Sequence, residues 1–161
     1  MAVVMDLIAG DAREILLAIG VDDWNGLRDT SRFAAYLPLG GRMDPSWLDF
    51  LSRAACDVTG SDVPGSFSEA CWPLEDRQLR RLLESVERTI ERVDAHWVED
   101  MAMVPDRAIA AIASCWIELI EFEGGGVDPD DKPMMRAATA ALVDFCRRAR
   151  AAEDVLLAWT I

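Results

Sequence analysis

The sequence predicts an α+β domain in which helix dominates, with about five helices and a small sheet from strands near the two termini. Three observations lead there. Short apolar runs with β-branched members lie near both ends. The long stretches between them repeat apolar residues at helical spacing. And 161 residues, 52% of them hydrophobic, suffice for one core and a single globular domain over residues 1–161. An all-α arrangement with irregular ends is the rival.

The first strand is read over Val3 to Ala9 and stops at Gly10. Asp11, with Glu14 three residues on, then resembles a capping box and opens a helix that Gly20 closes. Val21 to Ser31, rich in Asp, Asn and Gly, reads as a loop anchored by Trp24 and Leu27. Phe33 to Leu39 fits a second strand, and Pro38 places it at an edge or at the strand end. Asp44-Pro45 is a cap followed by a first-turn proline. The helix it starts carries Trp47, Leu48, Leu51, Ala54, Ala55 and Val58. Thr59 to Pro73 is the longest connection.

Leu74 to Val104 reads as one long helix, or two joined near Asp94. Leu79, Leu82, Leu83, Val86, Ile90, Val93, Trp97 and Met101 keep one stripe, and Pro105 stops it. Asp106 to Phe122 is apolar nearly all round, the pattern of the central and most buried helix. Gly124-Gly125-Gly126 ends it. Asp128 or Asp131 caps the last helix, and Val155 to Ile161 is the closing strand. The terminal strands can pair, with Phe33 to Leu39 joining them.

Charge excludes some functions. The net charge is −13, and dividing the chain at Pro73 gives 11 acids and 5 bases before it, then 18 and 11 after. Such a field repels phosphate backbones and anionic lipid, and attracts basic partners. Nucleic acid is therefore disfavoured. The longest apolar stretch, Ala108 to Ile117, falls short of the ~20 residues that cross a bilayer. Met1 to Gly10 lacks a basic n-region, so no signal peptide is expected. Cys56, Cys71, Cys115 and Cys146 form no C-x-x-C pair and suit a reducing, cytoplasmic compartment. One lysine beside fifteen arginines suggests a GC-rich bacterial genome.

Catalytic constellations are sparse. The only histidine, His96, stands beside Trp97, with Glu99 about one helical turn on. Those three residues form one reading: a tryptophan and carboxylate pocket for a small molecule, with His96 as its acid or base. No Gly-x-Ser-x-Gly elbow accompanies them. One histidine cannot supply two Glu-x-x-His motifs for a di-iron site, and Asp128, Asp130 and Asp131 lack the glycine and final glutamate of a calcium loop. No cofactor or metal is expected.

The other reading starts from an acidic run. Glu118, Glu121, Glu123, Asp128, Asp130 and Asp131 follow one another with no base before Lys132. Glu121 and Glu123 also oppose the dipole of the helix they end. This run marks a surface for a basic protein, and a non-catalytic inhibitor-like or immunity-like domain is the leading reading. A homodimer joined through the long helix is a further possibility.

The ending, Leu142-Val143-Asp144-Phe145-Cys146-Arg147-Arg148-Ala149 then Val155-Leu156-Leu157-Ala158-Trp159, resembles the end of the YfbM-like family of uncharacterised bacterial proteins. Leu74-Glu75-Asp76-Arg77-Gln78-Leu79 is similar to that family's Pro-Glu-Glu-Val helix start. The likeness covers about a third of the chain, and Cys146 stands where the family has tyrosine. It implies a small α+β domain with no assigned activity, and it transfers no functional residue.

Overall fold

The terminal runs do meet, at the centre of a five-stranded antiparallel sheet. This computed structural model describes residues 3–40, 43–62, 67–70 and 75–160. In chain order the strands are β1 (Val4–Gly10), β2 (Ala35–Leu39), β3 (Ser68–Ala70), β4 (Thr89–Val93) and β5 (Asp154–Thr160). Across the sheet they run β2-β1-β5-β4-β3. Val4 lies opposite Thr160 and Gly10 opposite Asp154, so the β1–β5 ladder runs the length of both strands. Pro38 sits on β2, at the sheet edge, where a missing N–H is tolerated.

Seven α-helices cover the two faces among the described residues. They are α1 (Ala12–Gly20), α2 (Trp24–Leu27), α3 (Trp47–Thr59), α4 (Arg77–Leu83), α5 (Ala95–Ala102), α6 (Asp106–Glu123) and α7 (Lys132–Ala149). Strand alternation feeds two cores. Met5, Leu7, Ala9, Val155 and Leu157 join α3, α5, α6 and α7 in the larger one. Ile8, Leu156, Ala158 and Ile90 join α1, α2 and α4 in the smaller. Because both faces are covered, β1 and β5 are largely apolar, the exceptions being Asp6, Asp154 and Thr160.

Local signals position these helices. Asp11 accepts from the Glu14 amide and so caps α1, as its capping-box spacing predicts. Gly60 ends α3 with φ +75°, a left-handed conformation that suits glycine. Asp44-Pro45 makes a turn before the helix instead of its first residues: Asp44 Oδ1 accepts from the Ser46 amide, and α3 begins at Trp47. Asp128 caps a 3₁₀ turn, Pro129–Asp131, that leads into α7.

Three expectations are corrected. The described part of the stripe from Leu74 to Val104, residues 75–104, is neither one long helix nor two joined near Asp94. It is α4, a turn, β4 and α5, with Ile90 and Val93 on a strand. The single long helix through which a homodimer was expected to join is therefore not formed over residues 75–104. Second, α6 is not the most buried helix. It buries five of its eighteen residues, whereas α7, also of eighteen, buries eight. Third, the Val21–Ser31 loop contains the short α2, where Trp24 stacks under Arg88 at 3.8 Å and pins the segment. Cys71, Trp72 and Leu74 lie outside the described residues.

Candidate functional site

A cleft of about 510 Å³ opens where β4 and β5 part. The β4–β5 ladder ends at Arg92 opposite Leu156, yet β4 continues to Val93 and β5 begins two residues earlier, at Asp154. Its apolar lining is small: Val93, Ala95, Val98, Ala149, Ala152 and Val155. Short side chains from two helix ends and two strands leave the room.

Charge lines the rest. Glu69 of β3, Arg92, Asp94, Glu99 of α5, Arg150, Glu153 and Asp154 all contribute, five carboxylates against two guanidiniums. Both guanidiniums are already engaged. Arg92 lies 3.3 Å from Asp154, and Arg150 donates to both oxygens of Glu99, at 2.5 and 3.2 Å. Asp94 Oδ1 caps α5 by accepting from the His96 and Trp97 amides at 2.7 and 3.1 Å. Glu69 and Glu153 are exposed and form no ion pair with the described residues. The cleft thus carries more negative than positive charge, with Glu69 across the β3–β4 ladder from Arg92.

The sequence-predicted pocket residues are not brought together. His96 is exposed and does not line the cleft. Trp97 is 1% exposed, packed edge-on against Phe67 with ring centroids 4.5 Å apart. Glu99 alone reaches the cleft, tied to Arg150. Nor are the described thiols activated: burial pushes Cys56, Cys115 and Cys146 up from their ordinary range.

The acidic run is gathered at the α6–α7 corner, but it is less unopposed than its spacing predicts. Lys132 meets Glu121 at 2.5 Å across the turn. Arg53 of α3 donates to both oxygens of Glu123 at 2.7 and 2.9 Å, and this hydrogen bonding holds the Glu123 carboxyl below its ordinary range. The conflict with the α6 dipole is offset by these two cations. Asp128 accepts from the Asp130 amide, and Asp131 is half-buried. Glu118 and Asp130 remain exposed on this corner, beside Phe122, which is 89% exposed.

A second charged group escaped sequence reasoning altogether. Asp6, 4% exposed in the middle of β1, accepts from Tyr36 OH at 2.5 Å and from Arg88 Nη1 at 2.6 Å. The only sequence signal was a carboxylate interrupting an apolar strand. Burial, then the Asp6 hydrogen bond and charge, pushes the Tyr36 phenol up.

Comparison with protein-family models, with curated proteins and with solved structures finds no match. Among the described residues no group of three or more His, Cys, Asp or Glu is placed to hold a metal ion, and no helix is long and apolar enough to cross a membrane.

Proposed function

We propose that this chain is a non-catalytic, bacterial cytoplasmic domain that binds a basic protein, as an inhibitor or immunity protein does, and that the cleft receives a cationic side chain of that partner. One observation carries most of the weight. The cleft walls hold five carboxylates, and the two arginines among them already serve Asp154 and Glu99. An arginine or lysine side chain would lay its methylenes on the valine and alanine lining and set its charge near Glu69 and Glu153. The acidic corner, with Glu118, Asp130 and exposed Phe122, adds a steering field and an aromatic anchor. Three free cysteines suit a reducing compartment. The YfbM-like resemblance names no activity and leaves this reading unchanged.

The test is affinity capture from a native lysate at low salt, with a salt-step elution read by mass spectrometry. A basic protein retained by the wild type and lost from a Glu69→Lys, Glu153→Lys double variant is expected. An empty bait, or equal capture by both, sinks the reading.

The cleft volume favours a second reading, since about 510 Å³ falls within the roughly 300–1,000 Å³ of small-molecule sites. Its occupant would be a small organic cation, bound without His96. A concentration-dependent rise in unfolding temperature with agmatine or spermidine, absent in the same double variant, would favour it.

A further inference from the structure

The cleft already holds a cation of this chain against one of its carboxylates. Arg150, the residue that follows α7, reaches Glu99 of α5, and both line the cleft. Its Nη2 and Nε donate to the two carboxylate oxygens at 2.5 and 3.2 Å, along one edge of the planar guanidinium. Such two-point forks are the stronger class of arginine–carboxylate bond, and an arginine from outside would grip Glu99 in the same way.

The pair can open at little cost. Its side chains are 44% and 51% exposed, so water and salt screen the attraction. The other pair in the cleft differs: Arg92 projects from within the β4–β5 ladder, and its partner Asp154 is 22% exposed. A released Arg150 guanidinium passes into water and stays beside the C-terminal carbonyls of α7, where positive charge is favourable. Glu99, once released, adds its charge to that of Glu69 and Glu153 on the cleft wall.

We propose that Arg150 is a resident competitor for the cleft, a role that rests on the reading of the cleft as the site of a partner's cationic side chain. In the free protein its guanidinium holds Glu99. When the partner's cation enters, Arg150 swings out and Glu99 pairs with the newcomer. Apparent affinity is then lowered in proportion to the fraction of molecules in which Glu99 is free. For an exposed pair that reduction is about fivefold at most.

The test is a titration of the full ¹⁵N-labelled chain with agmatine, which carries a guanidinium and an ammonium on a short aliphatic chain. Arg150→Gln should bind it up to about fivefold more tightly than wild type. Arg148→Gln makes the same charge change two residues away, at a side chain that pairs with Asp144 outside the cleft lining, and should bind as wild type does. Glu99→Gln should cancel the gain, so the double variant binds no better than Glu99→Gln alone. In wild type the Arg150 Nε–H resonance should move, as agmatine is added, toward its position in Glu99→Gln. Equal binding by wild type and Arg150→Gln, an equal gain from Arg148→Gln, or a gain that survives Glu99→Gln overturns the displacement and leaves the cleft reading standing. Agmatine bound by none of these proteins removes the cleft as a cation site, and the competitor role falls with it.

Discussion

Two groups of charged side chains flank the same sheet, and they use the same chemistry to opposite ends. Around Asp6 the carboxylate is buried, and Arg88 and Tyr36 each serve one of its oxygens. Arg88 is itself covered, its side chain 18% exposed and stacked on Trp24. In the cleft, Arg92 and Arg150 are 48% and 44% exposed, and Glu69, though across the ladder from Arg92, and Glu153 form no close ion pair among the described residues. Residue type does not separate scaffold from site here. Completeness of pairing and access to solvent do.

The sharpest way to break this comparison is to remove Asp6 or Arg88. Asp6→Ala or Arg88→Ala leaves a buried charge without its partner, and a loss of about 3–5 kcal/mol in denaturant unfolding is expected. A loss close to zero would place the Asp6 group with the surface pairs. In the cleft the effect falls on binding. Glu69→Lys with Glu153→Lys should weaken capture of the basic partner on the order of tenfold or more. Stability should stay within about 0.5 kcal/mol of wild type, as for most surface substitutions. A large drop in unfolding midpoint would show these acids to be structural instead.

Smaller still is the exposed Glu99–Arg150 pair. Glu99→Gln should cost at most about 1 kcal/mol, because solvent screens the pair. The last test reads no stability loss at neutral pH. Tyr36 is the sole tyrosine, so phenolate absorbance reports it alone. Its folded-state pKa lies above the ordinary value of about 10, because burial and Asp6 disfavour the phenolate. The associated stability is thus complete below the ordinary pKa and is lost as pH rises through the folded one. A midpoint at the ordinary value would detach Tyr36 from Asp6.

What the sequence disclosed and what it hid follow from how local each signal is. The terminal strands and β2 were legible because the first apolar run stops at Gly10, the second carries the edge proline Pro38, and the last is short with β-branched and aromatic members. The Asp11 cap was legible because its partner is three residues away. Strand β4 was not, for Ile90 and Val93 continue the helical spacing of Leu79, Leu82, Leu83 and Val86. Glu and Arg between them are good helix formers. Only pairing with β5 makes that segment a strand. The cleft was hidden for the same reason. Its walls come from β3, β4, α5, the end of α7 and the start of β5, and no spacing pattern spans them. The acidic run was visible as a run, but Arg53, seventy residues from Glu123, was not visible as its counter-charge.

Placing β1 beside β5 also has a kinetic side. Val4 finds Thr160 only after all the residues between them have been made, so β1 and β5 cannot pair until then. Contacts between such distant residues slow folding, since loop-closure entropy must be overcome before they contribute. Until then β1 is an apolar strand with one open edge, the kind of segment that associates with a neighbouring chain. Refolding yield should therefore fall steeply with protein concentration, and a nascent chain halted before Asp154 should be the species most in need of a chaperone.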